Sequence, residues 1–260
     1  MNSFERRNKI VDMVNSSGSQ LVNDISASLG VTEVTVRADL RLLEERGLLT
    51  RFHGGAARID SVSAQDEPSA DAEVSLNDRY QLAADPKRRI AQAAAKLVKE
   101  GDTLILDSGS TTKLLAEALV TMKNITVITN SLPAAAILID NTDITLVVCG
   151  GTVRHKTASL HGNIAEAALR DVSANLMFVG ADGLDCDNGI TTFNEGYAIS
   201  AVMAAAAQQV VVVTDSSKFG RKGFNLVLAM EKIDQVITDQ QAPEETVAAL
   251  RAKGKTVILA

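Results

Sequence analysis

The residues best suited to chemistry recur as short polar runs, each following an apolar stretch. Asp107-Ser108-Gly109-Ser110-Thr111-Thr112 follows Thr103–Leu106 and leads into a helical pattern. Backbone N–H groups at a helix N-terminus favour a phosphate, Gly109 lets the backbone approach, and the hydroxyls add donors. Asn130 and Ser131 stand in the same relation to Ile125–Thr129, and Cys149-Gly150-Gly151-Thr152-Val153-Arg154 to Ile144–Val148. Gly180-Ala181-Asp182-Gly183, Glu195 and Asp215-Ser216-Ser217-Lys218-Phe219-Gly220 come later. Together they offer hydroxyls, carboxylates and the cations Arg154 and Lys218, a set suited to a phosphorylated polyol. Singly each is weak, since Ser-Gly-Ser-Thr at a helix start is often only a cap. Recurrence at successive strand ends gives the pattern its weight. There is no Walker loop and no G-x-G-x-x-G, so nucleotide binding is not indicated. The three His and two Cys lack metal-ligand spacing, and no cofactor is expected.

A second group lies in the first 58 residues. Thr32, Thr35, Arg37 and Arg41 fall on one helical pattern, with Arg51 and His53 on the strand pattern that follows. Arginine can be bidentate to guanine, and threonine can contact bases or phosphates. Arg51 and His53 share a strand face from which both could reach the phosphate backbone or the minor groove.

These groups need elements to hold them. In residues 1–58 the apolar spacing predicts helices over Ser3–Asn15, Leu21–Leu29 and Thr32–Arg46, with Gly30 in a tight turn and Thr32 as a cap. Leu48–Ala56 then alternates into a Gly-Gly turn. Helix, tight turn and helix is the arrangement that lays a second helix in the DNA major groove, and the strand and turn read as a wing. Three helices of this size also build protein-interaction modules, and exposed arginines are often only a solvated face. Residues 59–78 hold six acids and no Lys or Arg, without helical or strand period. They read as a linker rather than a long loop within one domain. From 79 to 260 strands alternate with helices, implying an α/β domain whose mainly parallel sheet is covered on both faces. In such sheets ligands bind beyond the carboxyl ends of the strands, where the polar runs sit.

Composition alone points elsewhere. The 260 residues carry a net charge of −6, with 46% hydrophobic residues and 3% aromatics. The chain is too apolar for disorder, and two cysteines are too few for a disulfide framework. No run of about 18 apolar residues spans a membrane and no signal peptide opens the chain, so a cytoplasmic protein is expected. An acidic total argues against DNA, yet residues 1–58 hold eight Lys+Arg against seven acids. The acidic excess belongs to the linker and the second domain.

The run VTEVTVRADLRLLEERGLLTRFHGGA resembles the N-terminal signature of the DeoR-type bacterial transcriptional repressors of sugar metabolism. The matching parts are Thr32, Thr35-Val36-Arg37, Asp39-Leu40, Leu43, Gly47, Arg51 and His53-Gly54-Gly55-Ala56. Where many members carry a second basic residue after Arg37, this chain has Ala38. The resemblance continues through Lys87…Ile90-Ala91, Leu106–Thr111, Thr129-Asn130, Gly150-Gly151…Arg154, Gly180–Gly183, Glu195 and Ser217–Gly220. It implies a sensor domain similar in fold to ribose-phosphate isomerase, double-stranded operator DNA and a sugar-phosphate effector as partners, and a homo-oligomer. Members often carry Lys or Lys-Arg where this chain has Ser200-Ala201. MNSFERRNKIVD and FHGGA most resemble the galactitol-type repressors, implying a hexitol or ketose phosphate. The expected DNA-contacting residues are Thr32, Thr35, Arg37, Arg41, Arg51 and His53. The expected ligand residues are Asp107, Ser108, Gly109, Ser110, Thr111, Thr112, Asn130, Ser131, Gly151, Arg154, Asp182, Glu195 and Lys218.

The rival reading is a sugar-phosphate isomerase with an appended DNA-binding module. Glu195 resembles the position of its general base, with Asp182 in a related segment. The isomerases carry a Lys-Gly-Gly-Gly-like run where this chain has Asp187–Thr192 without lysine, which favours binding over turnover. A purely structural interaction protein is the third reading, and the strand-end polar cluster argues against it.

Overall fold

Apolar residues at spacings of three and four dictate the N-terminal helices: α1 (Ser3–Ser17), α2 (Val22–Leu29) and α3 (Glu33–Glu45). Ile10, Val14, Val22, Ile25, Val36, Leu40, Leu43 and Leu49 close into one core. The computed structural model describes residues 3–17, 19–45, 48–52, 55–57, 84–192, 199–223 and 225–260. The expected linker over 59–78, His53 and Glu195 lie outside them. The chain divides into two compact units, Met1–Ala70 and Asp71–Ala260.

Gly30 ends α2 with φ +64°, the left-handed conformation that spares a glycine the Cβ clash. Thr32 then caps α3, its Oγ1 accepting from the Thr35 N–H at 3.3 Å. The second helix begins one residue later than its apolar spacing suggests. Leu21 instead ends a short strand, β1 (Ser19–Leu21), paired antiparallel with β3 (Gly55–Ala57), which also pairs with β2 (Thr50–Phe52). This three-stranded sheet, in the order β1-β3-β2, makes the unit a winged helix.

One carboxylate joins the first helix to the third. Asp39 is 3% exposed, and accepts from Arg6 Nε at 2.5 Å and Arg7 Nε at 2.8 Å. Burial alone would raise its pKa, but the two guanidinium hydrogen bonds outweigh burial and hold the carboxyl below its ordinary value. A depressed carboxylate contributes stability that is complete above its unfolded pKa of about 3.9 and is lost as pH falls through the folded value.

The second unit is built on seven parallel strands in the order β15-β14-β12-β9-β4-β5-β6. In chain order its elements are α4 (Ala84–Ala95), β4 (Thr103–Leu106), α5 (Ser110–Leu119), β5 (Ile125–Thr129), α6 (Leu132–Leu138), β6 (Ile144–Val148), β7 (Thr152–Arg154), β8 (Ser159–His161), α7 (Asn163–Ala167), β9 (Ala174–Val179), β10 (Gly183–Asp185), β11 (Gly189–Thr192), α8 (Ile199–Ala205), β12 (Ala207–Val213), β13 (Asn225–Ala229), β14 (Gln235–Thr238), α9 (Glu244–Ala252) and β15 (Thr256–Leu259). Alternate residues of the sheet feed two cores. Leu104, Leu106, Phe178, Val211 and Val213 lie in one, and Ile105, Met177, Val179, Val210 and Val212 in the other. Burial on both faces is why these strands read as unbroken apolar runs. Two antiparallel additions lie outside the expected scheme, the hairpin β7–β8 and the sheet β10-β11-β13. Among the described residues no helix is long and apolar enough to cross a membrane.

Replacing Asp39 with alanine leaves Arg6 and Arg7 without their shared partner. The expected result at pH 7 is a lower melting temperature for the N-terminal unit, by about 4–8 °C for each kcal/mol lost. The gap between variant and wild type should narrow as pH falls below about 4. Equal melting at pH 7 would show that the bridge stabilises nothing.

Candidate functional site

All seven parallel strands present their carboxyl ends on one edge of the sheet. From β4 the chain proceeds outward through β5 and β6 on one side, whereas β9, β12, β14 and β15 fill the other. The strand order therefore reverses between β4 and β9, the switch point at which loops part and open sheets bind ligands. A small cleft lies there, lined by Gly109, Ser110 and Thr111 after β4, Gly180 and Ala181 after β9, Thr214 and Asp215 after β12, and Lys87 and Lys218.

Its groups suit an anion. Ser110 and Thr111 open the ten-residue helix α5, whose first-turn N–H groups have no partner within the helix. Lys87 projects from α4, and its side chain is only 4% exposed. Lysine is almost never buried unless paired, and its Nζ stands 4.0 Å from Asp215 Oδ2, itself 4% exposed. Asp215 also accepts from the Ser217 N–H at 3.1 Å and from the Ser217 hydroxyl, fixing the turn Ser216–Lys218 that carries Lys218. Asp239, after β14, holds the same turn through the Ser216 N–H at 2.6 Å. Thr214 Oγ1 is buried without a hydrogen-bond partner among the described residues.

Four of the expected ligand residues, Gly109, Ser110, Thr111 and Lys218, line this cleft. Others lie beneath or beside it. Asp107 is 5% exposed and accepts from the Ser108 N–H at 2.7 Å and from the Ser200 hydroxyl of α8. Burial pushes its carboxyl upward against those hydrogen bonds. Asn130, completely buried, also draws that carboxyl down. Yet neither its Nδ2 nor its Oδ1 makes a hydrogen bond of good geometry among the described residues.

Thr112 is fully buried and donates to the Gly109 carbonyl at 3.2 Å, so its hydroxyl shapes the turn into α5. Ser131 caps α6, accepting from the Ala134 N–H at 3.3 Å. Gly151 opens the β7–β8 hairpin at φ +118°, where a Cβ would stand 2.4 Å from the His161 carbonyl. That hairpin carries Arg154 and lies along the end of β5, its Leu160 N–H donating to the Asn130 carbonyl at 2.8 Å. Within it the hydroxyls of Thr157 and Ser159 and His161 Nε2 form a buried chain, 2.6 and 2.7 Å long at its two links. Burial and the nearby Arg154 charge lower the His161 pKa. Cys149, buried at the end of β6, has its thiol pushed up to about 11 by burial. Asp182 accepts from the Thr192 hydroxyl at 2.7 Å, tying the start of the β10-β11-β13 sheet. Among the described residues no group of His, Cys, Asp and Glu could hold a metal.

Of the other lining residues, Thr214 was not singled out in the sequence, Asp215 was given only within the polar run Asp215–Gly220, and Lys87 only as a position of the family resemblance. A signal for Lys87 was present, because Lys87, Ile90, Ala91 and Ala94 share one helical face and all are buried.

In the N-terminal unit, Val36, Leu40 and Leu43 turn α3 inward. Arg37 is exposed and pairs with Glu33 at 3.0 Å, one turn earlier. Arg41 is also exposed. Arg51, on β2, donates from Nε to Glu44 at 2.7 Å and from its backbone N–H at 3.0 Å. Those hydrogen bonds lower the Glu44 carboxyl. Exposed pairs of this kind contribute little stability, so a phosphate can replace either carboxylate at small cost.

A winged helix in one chain with an α/β unit is the architecture of a DNA-binding regulator, and comparison with known proteins divides the chain in the same way. Residues 6–62 match the DeoR-like helix-turn-helix domain, and residues 83–240 match the DeoR C terminal sensor domain. A protein of Escherichia coli O157:H7, named provisionally as the aga operon transcriptional repressor, is 36% identical over 256 residues, 98% of this chain and 93% of that protein. The HTH-type transcriptional regulator GlpR of Haloferax volcanii is 35% identical over 255 residues, 98% of this chain and 96% of its own. A lactose phosphotransferase system repressor of Staphylococcus aureus is 31% identical over 248 residues, 94% and 95% of the two chains. The solved ribose 5-phosphate isomerase A of Methanocaldococcus jannaschii is 23% identical, with a TM-score of 0.41, covering 53% of this chain and 55% of its own. The chain belongs to the DeoR family of helix-turn-helix transcriptional regulators.

Proposed function

We propose that this regulator represses a carbohydrate-utilisation operon and is controlled by a phosphorylated sugar or polyol bound at the switch point of the second unit. The observation that carries this reading is the buried Lys87 beside the first turn of α5, with Lys218 on the same cleft. A cation held out of water beside a helix N-terminus favours a phosphate by both charge and hydrogen bonding. In this reading Ser108, Gly109, Ser110, Thr111 and Thr112 form or brace the phosphate loop. Asp107, Asn130, Ser131, Gly151, Arg154, Asp182 and Glu195 serve the hydroxyl-bearing remainder of the effector. The names of relatives that mention an aga operon or a lactose phosphotransferase system agree with a sugar-linked role.

Thr32, Thr35, Arg37, Arg41, Arg51 and His53 contact operator DNA in the same proposal, with residues 59–78 as linker between the DNA-binding domain and the sensor domain over 79–260. The regulator acts in the cytoplasm as a homo-oligomer, whose symmetry matches repeated half-sites. Turnover is not part of the reading. The stretch that lacks the isomerase-like lysine is a tight turn, with Asp185 Oδ1 accepting from the N–H groups of Asp187 and Asn188 at 3.0 and 2.9 Å, followed by β11.

Thermal-shift screening against sugar phosphates, with hexitol and ketose phosphates included, tests this directly, because a ligand that binds only the folded state raises its stability. At least one should raise the melting temperature of the wild type, be recovered unconverted, and lose its effect in Lys87→Met. No shift across the panel, or isomerisation of the ligand, would contradict the proposal. Arg37→Ala should weaken operator binding by about 1–3 kcal/mol if that arginine reads a base. An unchanged gel-shift titration would remove Arg37 from the interface.

A further inference from the structure

The side of α3 that faces away from the core is not the polar surface that its arginines and threonines suggest. Val36, Asp39, Leu40 and Leu43 are buried and define its inner face. At 100° per residue the opposite side is centred on Val34, Ala38 and Arg41. Val34 is 77% exposed, the most exposed large apolar side chain among the described residues. It stands in the first turn of the helix, the part whose residues reach base edges when such a helix enters the major groove. Ala38, also exposed, lies one turn further along the same line.

In the first turn the polar neighbours flank this line, and each is engaged with an earlier residue. Thr35 lies to one side, its hydroxyl 3.0 Å from that of Thr32. Arg37 lies to the other, held by Glu33. The centre of the presented face in the first turn thus has no hydrogen-bonding side chain, only the two methyl groups of Val34. The major groove offers one apolar feature to match, the 5-methyl group of thymine.

We propose that Val34, supported by Ala38, contacts a thymine 5-methyl group and makes a T·A pair in the operator a determinant of specificity. The proposal rests on the placement of α3 in the major groove. It adds an apolar contact to the polar ones and assigns it to a position at which the side chain is free of any role in the core.

The test uses the full chain and duplex DNA enriched by it from a random-sequence pool. Each thymine of the enriched site is then replaced in turn by uracil, which removes only the methyl group. One such replacement should weaken wild-type binding about fourfold, the value of one buried methyl-sized group. Val34→Ala should bind the thymine site more weakly by a similar factor and show no further loss with uracil at that position. Arg37→Ala should keep the uracil penalty. Uracil tolerated at every thymine by the wild type would overturn the contact, as would a penalty that persists unchanged in Val34→Ala. Both of those outcomes leave α3 in the groove. Failure of the wild type to enrich any sequence would instead overturn the groove placement itself, and the contact with it.

Discussion

Parallel strands set the terms for everything in the larger unit. Because all seven run the same way, every loop that follows a strand emerges on one edge, and the reversal of strand order between β4 and β9 parts those loops. The segments at residues 109–111, 180–181 and 214–218, far apart in sequence, become neighbours for that reason. The chain needs only short runs at each strand end, with hydroxyls near β4, small residues near β9 and an acid–hydroxyl turn near β12. The cleft is a consequence of topology, and its chemistry is supplied residue by residue.

The cleft also shows how charge is managed out of water. Lys87 is almost fully buried, with Asp215 at 4.0 Å, and Asp215 is fixed in turn by Ser217. A lysine left in such a place without an acid would lose its proton easily. Here the acid is Asp215, whose Oδ2 stands 4.0 Å from the Lys87 Nζ. The N-terminal unit uses a tighter version of the same device. Asp39 takes hydrogen bonds from two arginines and serves the packing of α1 against α3. There the acid is buried, whereas Arg37–Glu33 and Arg51–Glu44 are exposed pairs.

Much of this was legible in the sequence, for identifiable reasons. Runs such as Val210–Val213 mark strands buried on both faces, and their spacing with helical stretches implies the parallel sheet. The winged helix was readable from Gly30, Thr32 and the alternation after Leu48. Elements whose partners are distant were not legible. The strand β1 is three residues long and is defined only by pairing with Gly55–Ala57. The sheet β10-β11-β13 pairs Gly189–Thr192 with residues some 33–40 positions later, across a register shift. In the site, hydroxyl-rich runs drew attention, while Lys87 was named only as a position of the family resemblance and not as a ligand residue. Its place in the stripe with Ile90, Ala91 and Ala94 gives it away only when a charged residue is allowed on a buried face. Asp39 is the same case on α3, between Val36 and Leu43.

In the proposed function, occupancy of the switch-point cleft and DNA binding by the winged helix are coupled. Coupling is reciprocal, so an effector that alters DNA affinity must have its own affinity altered by DNA to the same degree. The decisive measurement is calorimetric titration of the full chain with one sugar phosphate that binds it, with and without enriched operator duplex, alongside DNA titration with and without that sugar phosphate. Two equal factors, on the order of 5–150-fold as is typical of allosteric coupling, are the predicted result. Binding of the sugar phosphate with the same affinity in the presence and absence of DNA would contradict the account.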